Sequence, residues 1–397
     1  MGSHVIIIML MAELGLGLTT LMMWFERLLM KKKCAAGILG CLLSLGLALG
    51  CVDPEEEGGG STGGTSLYVF DASDGASNRI LVYSDLAALF EDTTIEPSRR
   101  LGGSKIDTVK NLAWGGMCFD AEGNRLYLVS ETGDVIRIER ARIQNGTPSN
   151  LDIASFRLGE SGDRLSSGIF GQASIDSMAN VLYVTESNPS DARVWVVNNP
   201  NAQQDGSTYN SNGNYLFISG DKGDTGVAAN NGYVYAYFDS GSSVRPTLDT
   251  EYTGPRLRRG TSSGFSDISN MIIGSVSTTR LAKYGCLAID QDSQVYFARH
   301  LTDAAVGSGN AILFFRPGQF NPGWNQAPER TFAAISNLRI ISHAITRDWL
   351  VGALSNGNAG RDIIWMWRSP SSSSPSSQEF RVGSNASIRG LALDGKN

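Results

Sequence analysis

One unit recurs along this chain, and it constrains the fold more than any other feature. The unit is a strand with small residues that ends near Asp, a polar turn, and then a strand carrying an aromatic residue. Clear copies are "GGMCFDAEGNRLYLVS" from Gly115, "GQASIDSMANVLYVTE" from Gly171 and "GCLAIDQDSQVYFARH" from Gly285. Weaker copies are "GVAANNGYVYAYF" from Gly226 and "SHAITRDWLVGAL" from Ser342. The aromatic sets the period: Tyr68, Tyr127, Tyr183, Tyr235, Tyr296 and Trp349 lie 59, 56, 52, 61 and 53 residues apart. A fixed period of this size is the mark of repeat architecture.

Each aromatic strand is followed by a third β-rich run, among them "NRILVYSDL" from Asn78, "DVIRIERA" from Asp134 and "NAILFFRPG" from Asn310. Several units add a fourth, such as "SFRLGE" from Ser155, "ERTFAAI" from Glu329 and "QEFRVGS" from Gln378. Four short strands per unit is the arithmetic of a β-propeller blade. Residues 66–397 number 332, which makes six blades of about 55 residues. Seven would need about 47 each, against the aromatic spacing. The ends complement one another: "SIRGLALDGKN" from Ser387 reads as a first strand and "SLYVFDAS" from Ser66 as a second. The expected fold is therefore all-β, a six-bladed β-propeller whose ring is closed by the C-terminal strand joining the first blade. This strand pattern resembles the broad class of NHL-repeat, gluconolactonase-like and quinoprotein sugar dehydrogenase propellers, without a motif specific to any one of them.

The N-terminus carries an address. Lys31, Lys32 and Lys33 precede an apolar run from Cys34 to Gly50, the layout of an export signal. Its end, Leu47-Ala48-Leu49-Gly50-Cys51, resembles the lipobox of bacterial lipoproteins, although Ala48 and Leu49 depart from the usual order. The resemblance implies cleavage before Cys51 and acylation of its thiol. Residues 1–29 are then expected to be an N-terminal extension, 30–50 the signal peptide, 51–65 a lipidated cysteine with its tether, and 66–397 the propeller. The rival reading makes the two apolar stretches a transmembrane hairpin, at the cost of Glu13 within the bilayer. "DPEEEGGGSTGGT" from Asp53 has the composition of a solvated linker. Val52 follows the cysteine where an Asp would favour the inner membrane of a Gram-negative cell, so the resemblance implies the outer one.

Charge narrows the partners. Without residues 1–51 the chain keeps 29 basic and 37 acidic side chains, a net −8. Nucleic acid is excluded as a partner, because phosphate binding needs a concentrated basic face. Arg99-Arg100 and "RLRRG" from Arg256 read as solvated loop charges, and Thr247 to Thr279 reads as irregular, a second candidate contact surface. Cys118 and Cys286 fall in the first strands of facing blades, too far apart to bridge, so both are expected as free thiols.

Ligands meet propellers where the chain enters the inner strands. Those positions hold Trp114, Phe170, Asp224, Lys283, Tyr284, His343 and Arg389, the candidate channel residues. No Ser or Cys nucleophile is paired with His300 or His343 by motif, no G-x-S-x-G elbow occurs, and no metal-ligand spacing is present. The recurrent Asp120, Asp176, Asp290 and Asp394 read as turn devices. The chain thus reads as a lipid-anchored binding or scaffold module without a cofactor, with a protein or cell-envelope polymer as partner. The alternative is a channel-centred enzyme. The propeller resemblance would make that a lactonase-like hydrolase using a divalent cation such as calcium, or a quinone-dependent sugar dehydrogenase.

Overall fold

The structure is a computed structural model that describes residues 64–73, 79–159, 169–187, 193–210, 215–216, 225–238, 256–265, 271–273, 286–299, 311–316, 323–326, 329–332, 339–355, 362–383 and 386–395. Its strands form six small sheets, each starting from an inner strand and stepping outward through antiparallel neighbours. Blade 1 runs Ile388–Leu393, Leu67–Asp71, Ile80–Tyr83, Arg99–Leu101, and blade 2 runs Leu112–Asp120, Arg125–Ser130, Asp134–Ile138, Ile153–Leu158. Blade 3 is Ile169–Asp176, Val181–Ser187, Arg193–Asn198, Tyr215–Leu216, and blade 4 is Thr225–Asn230, Tyr233–Phe238, Arg256–Thr261, Met271–Ile273. Blade 5 is Leu287–Ile289, Val295–Arg299, Ala311–Phe315, Arg330–Phe332, and blade 6 is Arg339–Ile345, Trp349–Ser355, Ile363–Arg368, Ser376–Phe380. Inner strands touch in the cyclic order 1-2-3-4-5-6-1, so the sheets close into a six-bladed β-propeller.

Closure follows the expected scheme. The C-terminal strand pairs Leu393 with Leu67 and Gly390 with Phe70. Asp394 latches the join, accepting from the Ser66 N–H at 2.6 Å. A strand from the end of the chain thereby covers the inner edge of a sheet begun at Leu67, which removes an edge open to misassociation.

The core is divided among the interfaces. Among the described residues there are six apolar clusters, each between a pair of adjacent blades. The periodic tyrosines supply their bulk, since Tyr68, Tyr127, Tyr183, Tyr235 and Tyr296 are all fully buried. Register explains the period. Each tyrosine lies opposite the small residue two places before the turn: Ala392, Cys118, Ser174, Ala228 and Ala288. A small inner residue facing a large outer one suits wedge-shaped blades around an axis. Blade 6 differs from the sequence reading, because Ala344 pairs with Val351 and Trp349 lies two residues earlier.

The turn Asp is a structural device in the blades that have it. Asp120 accepts from Gly123 N–H, Asp176 from Ala179 and Gly232 N–H, and Asp290 from Asp292 and Gln294 N–H. Thr346 does the same work in blade 6, accepting from Trp349 N–H at 3.2 Å. In blade 4 Asn230 instead donates to the Asp290 carbonyl. Such short polar side chains bond the backbone of the turn they begin.

Three local expectations are corrected. Both basic spots are strands rather than loops: Arg99–Leu101 is the outer strand of blade 1 and Arg256–Thr261 the third strand of blade 4. Arg99 is consumed structurally, donating to the Ala141 and Gln144 carbonyls at 3.0 Å. The segment from Thr247, read as irregular, holds the third and fourth strands of blade 4. Two sheets also gain a strand from the following blade: Ser207–Tyr209 pairs with blade 2 and Gly323–Gln326 with blade 4, whose sheet also holds Gly264–Phe265.

Candidate functional site: the central channel

Inner strands present a free backbone edge to the axis of the ring, and buried backbone groups must find partners. Here neighbouring blades supply them through side chains. Ser174 of blade 3 accepts from Ala229 N–H of blade 4 at 3.0 Å. Ser342 of blade 6 accepts from Leu391 N–H of blade 1, also at 3.0 Å. The Cys286 thiol of blade 5 reaches the Ile341 carbonyl of blade 6 at 3.5 Å. Each bond passes from one blade to the next, so the polar residues of the bore act as ties.

The largest tie is Gln172, which is buried. Its Oε1 accepts from Val227 N–H of blade 4 at 3.1 Å and from Leu287 N–H of blade 5 at 2.8 Å. Its Nε2 donates to the Leu287 carbonyl. One amide therefore joins three blades. Opposite it, Gly115 of blade 2 sits at φ +69°, and a Cβ there would stand 3.1 Å from Gln172 Cγ and 3.4 Å from Cys286 Sγ. Glycine both permits that backbone conformation and leaves the space.

A bulge places Gln172. The pairing of blade 3's first two strands shifts register between Phe170 and Ala173. The extra residue breaks the two-residue alternation and re-aims a side chain. Phe170 consequently turns into the core between blades 2 and 3, its ring 5.8 Å from Trp195, and Gln172 serves the bore.

Gln172 borders a cavity of about 140 Å³ in the bore, lined by all six inner strands. Its wall is mostly small or aliphatic, with Ala173, Ala229, Ala288 and Ala392 among the lining residues. Of the candidate channel residues that are described, His343 alone borders it. Its Nε2 lies 2.9 Å from the Tyr296 carbonyl, and a carbonyl only accepts, so Nε2 carries the proton. Nδ1 is buried without a partner. Burial holds the imidazole neutral, lowering its pKa to about 4.

Trp114 and Arg389 meet elsewhere, at the entry end of the inner strands. The guanidinium lies 5.7 Å from the indole centroid and reaches Glu131 Oε1 at 3.3 Å. Asp224, Lys283, Tyr284 and Cys51 lie outside the described residues. Cys118 and Cys286 are free thiols, as expected, with Cys118 half-buried and Cys286 buried.

The described residues do not fit an oxygen-liganded divalent cation at the axis. Such an ion needs several converging oxygen donors, and the cavity wall carries no carboxylate. The inner-strand aspartates are engaged instead by turn N–H groups and by Ser66. Gln172 was not legible as a site residue, although the repeat held a signal. Four places before the turn residue the blades read Gly116, Gln172, Gly226, Cys286, Ser342 and Gly390. The three non-glycine members each bond a neighbouring blade.

The fold and its tied bore define the class: a six-bladed propeller with a side-chain amide across its axis. The chain matches no protein-family model and no curated protein. Among solved structures it resembles a chain of a nidogen/laminin complex, with TM-score 0.52 and 12% identity over 84% of this chain and all of that one. At that identity the likeness shows the fold alone. Weaker likenesses are to Kuenenia stuttgartiensis hydrazine synthase, with TM-score 0.37 and 11% identity over 70% of this chain and 69% of that one. A mitotic checkpoint complex chain gives TM-score 0.36 and 11% identity over 70% and 79%.

Proposed function

We propose that the protein is a lipid-anchored, non-catalytic binding or scaffold module of the bacterial cell envelope. Cys51 is the acylated residue, residues 52–65 are the tether, and the outer membrane is the site. The partner is a protein or an envelope polymer, met by a rigid face of the propeller.

One observation carries the reading. The polar side chains of the described bore, Gln172, Ser174, Cys286, Ser342 and His343, are committed to backbone groups of neighbouring blades. Gln172, Ser174, Cys286 and Ser342 are spent on bonds that hold the ring together, so moving any of them toward a substrate costs a structural bond. A ring whose bore side chains are spent on ties leaves the two broad faces for recognition. The similar chain in the nidogen/laminin complex was likewise solved in a complex between proteins.

Two measurements test this. Cys51→Ser should move the protein from the membrane fraction to the soluble one, and a variant that stays with membranes refutes acyl anchoring. The purified protein should turn over no lactone, ester or sugar. Turnover abolished by Arg389→Ala or His343→Ala would replace the binding reading with the enzymatic one.

A further inference from the structure

We infer that the propeller is seated on the bilayer by one particular face, the end at which each inner strand turns back into the second strand. The inference rests on the Cys51 anchoring proposed above and adds the orientation and the lipid contacts.

The chain leaves the propeller at that end. Leu67 pairs with Leu393, the last residue of the closing strand, and Ser66 bonds Asp394, which occupies the turn position of blade 1. Thr65 is pinned beside it, its carbonyl accepting from Leu86 N–H at 2.9 Å. Arg142 ties this corner to the blade 2 turn, donating to the carbonyls of Asp394 and Ala121. The tether thus begins on the turn face, close to the axis.

Reach then decides which face meets the membrane. Thirteen residues, 52–64, separate Cys51 from Thr65, and fully extended they span at most about 45 Å. A compact unit the size of residues 63–397 has a radius of gyration of about 20 Å, so a path around it from pole to pole is about 80 Å. A lipid on Cys51 can therefore hold the turn face to the bilayer, but the tether is too short to pass round the rim and present the entry face.

The side chains on the turn face suit that contact. Met178 stands 78% exposed in the blade 3 turn, and Tyr233 stands 45% exposed where the blade 4 turn ends. Leu151, 93% exposed, lies on the blade 2 loop that also carries Arg142. An apolar side chain or a tyrosine on a membrane-facing surface enters the boundary between headgroups and acyl chains. Ile169, 56% exposed at the start of blade 3's inner strand, marks the opposite face, with the Trp114, Arg389 and Glu131 group. That entry face is left to the partner.

The test uses the full chain on vesicles of phosphatidylethanolamine and phosphatidylglycerol, 3:1. The photocrosslinker benzoylphenylalanine replaces Met178 in one preparation and Ile169 in another. Both sites are exposed, and an unchanged melting curve checks that each variant is folded. Lipid crosslinking is expected to be at least fivefold greater from position 178 than from 169. Flotation of the unlabelled chain beside Cys51→Ser separates the two claims. If flotation depends on Cys51 and the two positions crosslink equally, or 169 more strongly, the orientation is overturned and anchoring stands. If the chain does not float, or floats without Cys51, anchoring fails and takes the orientation with it.

Discussion

Gln172→Leu tests whether the tie across the bore holds the ring. Leucine is close to glutamine in size and carries no polar atom, so the substitution removes hydrogen bonds without opening a void. Two backbone donors, Val227 N–H and Leu287 N–H, lose their acceptor, and the Leu287 carbonyl loses a donor. A buried donor left without a partner costs about 1–3 kcal/mol. Water in the adjoining cavity of about 140 Å³ can satisfy part of the loss, which puts the net cost at roughly 2–5 kcal/mol. A unit the size of residues 63–397 has an unfolding entropy of about 0.7 kcal/mol/K, so the melting temperature should fall by about 3–7 °C. Differential scanning calorimetry and urea unfolding both read this, the latter with an unchanged slope. A fall under about 1 °C would show that the three bonds do not hold blades 3, 4 and 5 together, and the account of the bore would be wrong.

The remaining predictions concern His343 and Gly390. His343 is held neutral, with a pKa of about 4 against 6.5 when unfolded. The unfolded state therefore binds the proton first, and the stability this group contributes is complete above pH 6.5 and lost as pH falls through 4. Between pH 7.5 and 4.5 that loss is about 2–3 kcal/mol. Asp290 acts in the opposite sense, since burial raises its pKa from 3.8 to about 6. Its contribution is complete below pH 3.8 and lost as pH rises through 6, so wild-type stability alone does not isolate the histidine. The readout is the comparison: His343→Gln keeps a donor for the Tyr296 carbonyl, and its deficit against wild type should shrink by about 2–3 kcal/mol from pH 7.5 to 4.5. A pH-independent deficit in urea unfolding would contradict a neutral buried imidazole. Gly390→Ala would place a Cβ 2.6 Å from Leu112 Cδ2 and 2.9 Å from Met117 Cβ. That overpacking should cost about 1–3 kcal/mol by urea unfolding, and a neutral result would mean the blade 1–2 contact has slack.

Much of the architecture was legible because a propeller repeats its constraints. The tyrosine period marks blade length because each tyrosine must fill the wedge opposite a small inner residue. Complementary chain ends announced closure, because an unpaired strand at either end would leave an open sheet edge. Trp349 shows the limit of the method: it looked like the sixth aromatic, but register gives that place to Val351. Arg256–Thr261 shows another, since a strand whose sequence is half arginine carries no apolar alternation to reveal it.

The site was less legible, and the bulge is the reason. From sequence, Phe170 stands at the entry to an inner strand and Gln172 is one polar residue among many. Only the register shift between Phe170 and Ala173 turns the ring into the core and sends the amide across the axis. Its partners, Val227 and Leu287, lie 55 and 115 residues away, and no local pattern encodes a contact of that range. The register of the closing pair, Leu67 opposite Leu393, was likewise a tertiary matter. Sequence alone determined the number of blades and their closure, because period and strand complementarity are local properties repeated six times. The tertiary structure alone decided which side chains tie the bore, because that depends on register, and a shift of one residue sends a side chain to the other side of its sheet.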